Sequence, residues 1–203
     1  MSDLSQSITQ VAILDRGGLA RTYQRRLAVR AAGVVSMKTA KDPAYLRFAI
    51  RRDLAEIIAI ERDSFDHPWT EEDFLRHLRQ RNVIAMAAEM DGRIAGYMVC
   101  ALNAKHLTLL NIAVEAGWRR MGIGRQMIHM LAGKLHAQRR TALRLHVMEP
   151  NLGGQVFFRA CGFRAVAIKD EWFDTDEPAY EMELKVDDYL KSRPCERPEG
   201  GAE

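Results

Sequence analysis

The stretch EAGWRRMGIGRQM, Glu115 to Met127, gathers Gly117, Gly122 and Gly124 with Arg119, Arg120 and Arg125 just ahead of an apolar helical pattern. A helix start carries N–H groups with no intrahelical acceptor and the positive end of the helix dipole. Glycine at 122 and 124 removes side chains that would hold an anion away from those N–H groups. Such a turn is a phosphate cradle, and the arginines add formal charge to it. The same residues also describe a tight turn with solvated arginines. Two familiar phosphate motifs do not fit. Gly117 to Gly122 has the spacing of a nucleotide-triphosphate loop, but Ile123 and Gly124 stand where Lys and Ser/Thr belong. Gly122 and Gly124 begin a dinucleotide fingerprint, but Met127 replaces its third glycine. What remains is Arg119-x-x-Gly122-x-Gly124.

Other reactive residue types form no comparable cluster. Cys100, Cys161 and Cys195 show no paired spacing, which suits a reducing compartment, and Cys161 reads as a core residue. His67, His77, His106, His129 and His136 lack metal-ligand spacing, and Asp174-x-Asp176 is too short a signal for a calcium loop, so no metal is expected.

The elements that must position the cradle follow from periodicity. YLRFAIR (45–51) alternates as a strand, and Asp53 precedes a helix with Leu54, Ile57, Ile58 and Ile60 at helical spacing. Thr70 with Asp73 opens a second helix as a capping box. Apolar runs on both sides of Asp91-Gly92 predict a hairpin. HLTLLNIAV (106–114) is a strand, and the helix behind the glycines runs to about Arg140. ALRLHVM (142–148) is a strand. NLGGQVFFRACGF is a helix with Asn151 at its N-cap and Gly162 just past its end. RAVAI and AYEMELKV complete the sheet. The order β-α-α-β-β-β-α-β-α-β-β mixes hairpins with crossover helices, so the class is α+β: a mixed, mostly antiparallel twisted sheet flanked by helices. Gly153 and Gly154 are unusual in a helix's first turn, each costing about 1 kcal/mol against alanine. Close approach of a ligand or fraying of the turn would account for them.

Here the sequence resembles a known family. Gln/Arg-x-x-Gly-x-Gly/Ala, after a strand and opening a long helix, is similar to the acetyl-coenzyme A pyrophosphate loop of the GNAT acetyltransferases. The resemblance covers about residues 45–186. SFDHPWTEEDF, LLNIAVEAGWRRMGIGRQMI, EPN and FFRACGF resemble the RimI-type branch, the ribosomal-protein-alanine N-acetyltransferases. The resemblance implies direct acetyl transfer from acetyl-CoA, as co-substrate, to an amine. The backbone of Arg119, Arg120, Met121, Gly122, Ile123, Gly124 and Arg125 would take the pyrophosphate. The strand Asn111, Ile112, Ala113, Val114 would pair with the pantetheine arm and polarise the thioester carbonyl. Asn151 would contact the arm, or serve only as an N-cap. His146 stands where the branch has a glutamate base; a histidine there can act as base or simply pack. Phe158 stands where the branch has a tyrosine acid, so it can pack along the arm but donates no proton. Tyr180 is the remaining hydroxyl candidate. Asp170, Glu171, Asp174, Asp176 and Glu177 lie where the family places a loop over the acceptor. They make an acidic mouth for a cationic amine, or a solvated turn, and Trp172 and Phe173 either frame the acceptor slot or pack the loop.

The expected acceptor is a protein N-terminal α-amine, with a ribosomal protein among the candidates. A small-molecule amine, or acyl-CoA binding without catalysis, are the alternatives. Composition sets the outer bounds. The chain has 203 residues, 47% hydrophobic and 28% charged, with net charge +3, which gives no footprint of a nucleic-acid binder. No apolar run spans a membrane and the first residues lack a secretory pattern, so the expected location is cytoplasmic. Residues 1–43 form an expected mobile or loosely docked extension with excess arginine, 44–186 the catalytic domain, and 187–203 a disordered tail. Met37 is a possible alternative start. A contact of the basic arm with ribosome or RNA is the sharper reading of that extension.

Overall fold

The computed structural model describes residues 10–12, 43–137, 140–170 and 177–191. Eight strands are described: β1 (Gln10–Ala12), β2 (Tyr45–Phe48), β3 (Val83–Met90), β4 (Arg93–Leu102), β5 (His106–Val114), β6 (Ala142–Met148), β7 (Arg164–Lys169) and β8 (Ala179–Lys185). The helices are α1 (Leu54–Ser64), α2 (Glu71–Leu78), α3 (Ile123–Ala137), α4 (Leu152–Ala160) and α5 (Val186–Lys191). The sheet order is β2-β3-β4-β5-β6-β8-β7, with β1 added on β5. Only β5–β6 and β1–β5 are parallel among these pairs. The mixed, mostly antiparallel α+β sheet expected from the sequence is the one observed.

Local chemistry explains most boundaries. Asp91 and Gly92 take positive φ of 50° and 72°, which a two-residue hairpin turn needs. The Thr70 side chain accepts from the Asp73 N–H while the Asp73 carboxylate accepts from the Thr70 N–H, a complete capping box worth about 1 kcal/mol. Gly162, at φ 94°, ends α4 as expected. Asp53 departs from its expected role. It precedes α1, but its side chain makes no cap bond. It takes a fork of bonds from Arg47, at 2.6 and 2.9 Å, and one from the Ile50 N–H at 2.8 Å. Arg47 also reaches Glu89, so this ion pair ties β2 to the start of α1.

The domain boundaries also shift. Residues 187–191, assigned to a disordered tail, belong to α5, and Tyr189 and Leu190 pack against the core. Residues 10–12 of the extension, expected to be mobile or loosely docked, are a strand of the sheet. Residues 1–9, 13–42 and 192–203 lie outside the described residues.

Two cores sandwich the sheet. The larger is built from α3, Phe158 of α4, and β4, β5 and β6, with Met127, Ile128, Leu131, Leu143, Leu145 and Val147 almost fully enclosed. The smaller joins Ile57 and Ile60 of α1, Trp69 and Phe74 to Tyr97, Val99, Leu110 and Ala113. It contains no residue of β6, β7 or β8.

Candidate active site

The opening at the centre of the sheet comes from an interrupted strand pair. β5 and β6 are paired only over His106–Thr108 and Ala142–Arg144. Beyond that point β5 continues through Asn111, Ile112, Ala113 and Val114, still paired with β4 on its other edge. A bulge precedes this segment: Val99 faces Asn111 and Cys100 faces Leu109, leaving Leu110 extra. Leu110 lies in the smaller core and Asn111 bonds into it, so two consecutive side chains face α1.

The loop that follows is wound for close backbone approach. Glu115 accepts from the Gly117 N–H at 2.8 Å. Arg120 and Gly122 both hold positive φ, 66° and 87°. Gly122 supplies the first helical carbonyl of α3, accepting from Gln126 N–H at 2.9 Å. The N–H groups of Ile123, Gly124 and Arg125 therefore form the first turn, where no intrahelical acceptor exists. Gly122 is exposed, Gly124 is buried, and the Ile123 side chain is in the core, so Ile123 can offer only backbone to an anion. Met121 is half-buried and Arg125 exposed. Arg119 differs from its neighbours. Its Nε donates to the Val114 carbonyl at 2.8 Å and its Nη2 to Ser64 Oγ at 3.0 Å. It fixes the end of β5 against α1 and brings its charge to the loop in doing so.

Asn151 is an N-cap: its Oδ1 accepts from Gly154 N–H at 2.9 Å. This gives Gly154 a reason independent of any ligand. A Cβ there would sit 3.0 Å from Asn151 Nδ2. Phe158 is wholly enclosed, with rings of Phe157 and Phe163 at 5.2 and 5.1 Å between centroids. Cys161 is a core residue, its thiol pushed up to about 11 by burial.

The two candidates for proton handling are not brought together. In the β6–β8 pair, His146 faces Glu181 and Val147 faces Tyr180. Paired residues share a face and neighbours alternate, so His146 and Tyr180 lie on opposite faces of the sheet. His146 is 8% exposed, and burial lowers its pKa to about 4 despite the nearby Glu181 carboxylate. It is neutral at pH 7, and its charged form is disfavoured. Its face also carries Arg144, which bonds Glu183 at 2.8 Å, and Lys169 beside Glu181. Tyr180 donates to Glu149 Oε1 at 3.2 Å, and that carboxylate raises the phenol pKa above its ordinary value. Of the acidic stretch, only Asp170 and Glu177 are among the described residues.

One group with chemical potential did not emerge from the sequence. Glu61 is fully buried beneath β5. It accepts from Trp69 N–H at 2.7 Å, from Asn111 Nδ2 at 3.2 Å, and from the Tyr97 hydroxyl. Burial raises its pKa to about 7, against the pull of those bonds. The signal was a carboxylate on the apolar stripe, four residues after Ile57, together with an asparagine inside the apolar run LLNIAV. Among the described residues, no group of three or more His, Cys, Asp or Glu is placed to hold a metal ion. No described helix is long and apolar enough to cross a membrane.

The fold agrees with known proteins. Residues 54–163 match the acetyltransferase (GNAT) family. Over 125 residues the chain is 25% identical to the [ribosomal protein bS18]-alanine N-acetyltransferase of Escherichia coli K12, which covers 62% of this chain and 84% of that protein. It is 24% identical over 153 residues to the N-alpha-acetyltransferase of Sulfolobus acidocaldarius, covering 68% and 89%. The crystal structure of the ribosomal-protein-S18-alanine N-acetyltransferase from Escherichia coli superposes with a TM-score of 0.64 at 23% identity, covering 70% of this chain and 93% of that one. The chain belongs to the GNAT acetyltransferase family and is an acyltransferase.

Proposed function

We propose that the protein transfers acetyl from acetyl-CoA to the α-amine at the N-terminus of a polypeptide, with a ribosomal protein as one candidate acceptor. The observation that carries this reading is the edge of β5 from Asn111 to Val114 that β6 leaves unpaired, running straight into the glycine loop that starts α3. The slot suits the cofactor's arm on an observation of this chain: β1, an extended segment of amide backbone, is accepted there. The two amides of a pantetheine arm present the same donors and acceptors as a short strand. The acceptor class rests on the names of two relatives, a [ribosomal protein bS18]-alanine N-acetyltransferase and an N-alpha-acetyltransferase.

In this reading the first-turn N–H groups of Ile123, Gly124 and Arg125, with the Arg120 charge, hold the pyrophosphate. Backbone N–H groups of Asn111–Val114 hold the arm and polarise the thioester carbonyl. Bound acetyl-CoA supplies an activated acyl group and a thiolate that leaves at modest driving force. His146 lies two residues past the last β5–β6 pair, on the same face as Asn111. With a pKa of about 4 it cannot strip an ammonium acceptor. It takes the proton only as the nitrogen becomes acidic on bonding to carbon. The amine must therefore arrive neutral. Tyr180, protonated at neutral pH, lies on the other face from His146 and is bonded to Glu149, so it does not share the amine side with His146 in this reading.

The experiment is coenzyme A release from acetyl-CoA with peptides of different N-termini, polyamines and aminoglycosides. Release with one peptide class and not with polyamines supports the reading. Release only with a small amine transfers the reading to that acceptor class. His146→Ala should lower turnover with little change in cofactor affinity, and the activity of the parent should follow the acceptor amine's own titration. A parent rate governed by a group near pH 6.5 would remove this account of His146.

A further inference from the structure

β1 runs parallel to β5 with Gln10 opposite Asn111, Val11 opposite Ile112 and Ala12 opposite Ala113. The other edge of these β5 residues is already occupied by β4: Val99 faces Asn111, Met98 faces Ile112 and Tyr97 faces Ala113. β1 therefore lies on the edge that faces β6, inside the opening that begins past Thr108 and Arg144. It also approaches α4 there.

We propose that the chain's own residues 10–12 are an internal competitor of acetyl-CoA, closing the slot by strand addition. The proposal rests on the cofactor reading above. A strand edge has one set of backbone N–H and C=O groups, and each can be satisfied by one partner at a time. The groups of Asn111–Ala113 that face β6 bond β1 in the closed form, and the pantetheine arm in the loaded form. The two states exclude each other. β1 is three residues long, and so short a strand is held weakly enough to exchange. Because it belongs to the same chain, it is present at every slot and its competition does not dilute with protein concentration. The device also protects the protein. An open β5 edge with no cofactor is a template for pairing with other chains, and β1 covers it. Anything that holds the N-terminal segment elsewhere raises the affinity for acetyl-CoA, so this segment is a point at which an outside partner can set activity.

The affinity follows the open fraction: the apparent dissociation constant is the intrinsic one divided by the fraction of chains with the slot open. A segment closed in nine chains of ten weakens cofactor binding about tenfold. The test compares the full chain with the full-length variant Val11→Pro, Ala12→Pro. Consecutive N–H groups on a strand point to opposite sides, so one of the two prolines removes a donor to β5 in either case. Acetyl-CoA binding is read by calorimetry, and the exchange of the Asn111–Ala113 amides by hydrogen–deuterium exchange. The expected result is at least threefold tighter binding by the variant, with faster exchange of those amides when no cofactor is present. A KM for acetyl-CoA that falls by the same factor at unchanged kcat supports the same conclusion. Equal constants for the two chains overturn the competition. Weaker binding by the variant also overturns it and makes β1 a wall of the cofactor site. No acetyl-CoA binding by either chain overturns the functional reading itself, an outcome distinct from the other two.

Discussion

Glu61 and His146 should pull the pH dependence of stability in opposite directions, and removing either should expose the other. The buried Glu61 carboxyl has its pKa raised from 4.5 to about 7, while His146 has its own lowered from 6.5 to about 4. Stability changes with pH in proportion to the difference in protons bound by the unfolded and native chains. Between pH 4.5 and 7 the native chain holds the Glu61 proton and the unfolded chain does not. That contribution is full below 4.5 and is lost as pH rises through 7. Between pH 4 and 6.5 the unfolded chain protonates His146 and the native chain does not. That contribution is full above 6.5 and is lost as pH falls toward 4. Each gap corresponds to about 3 kcal/mol as an upper bound. The two slopes cancel from about pH 4.5 to 6.5. The assay is urea unfolding of the parent, Glu61→Gln and His146→Gln from pH 4.5 to 7.5, read as difference curves so that the remaining carboxylates subtract out. Glu61→Gln should gain up to about 3 kcal/mol relative to the parent as pH rises through that range. His146→Gln should lose stability relative to the parent by a similar amount between pH 4.5 and 6.5. Difference curves that stay flat for Glu61→Gln would refute the assignment of a raised carboxyl to this site.

Four simpler outcomes follow from the loop and the core. Arg120→Gly should raise the melting temperature, because it relieves a left-handed residue worth about 1 kcal/mol. Gly122→Ala should lower it by a comparable amount, although no atom lies within 4 Å of the added carbon, because φ is 87°. Phe158→Tyr should destabilise by about 1–3 kcal/mol in chemical unfolding, since its ring is wholly enclosed among apolar side chains. Gly124→Trp should abolish acetyl-CoA binding in calorimetry. Unchanged affinity in a folded Gly124→Trp chain, checked by circular dichroism, would remove the loop from the cofactor site.

The sheet and its order were readable because local rules and the global fold agreed. Asp91-Gly92, the Thr70–Asp73 box, Asn151 and Gly162 each specify a boundary by short-range chemistry, and the structure uses each of them. What escaped needed contacts distant in sequence. Asp53 reads as a cap, but Arg47 from the preceding strand claims its carboxylate. Arg119 reads as an anion contact, but Ser64 lies 55 positions away and can be placed beside it only by the fold. His146 and Tyr180 read as partners in one reaction. Register, which a sequence does not display, puts them on opposite faces. β1 was illegible for a further reason: a strand of three residues has almost no periodicity of its own, and its pairing is set by the vacancy it fills.

The smaller core stops at β5, while β6 and β8 carry Arg144, His146, Glu181 and Glu183 on that same side of the sheet. This asymmetry separates two demands that most proteins must satisfy together. Mutations of the cluster residues in the helix-covered half are filtered by folding, since those side chains are enclosed. On the uncovered half His146 is enclosed while the Arg144 side chain is 40% exposed, so a change at Arg144 disturbs folding less than one at His146. Charge at this partly exposed position of β6 can therefore vary without disturbing the smaller core, which Arg144 does not enter.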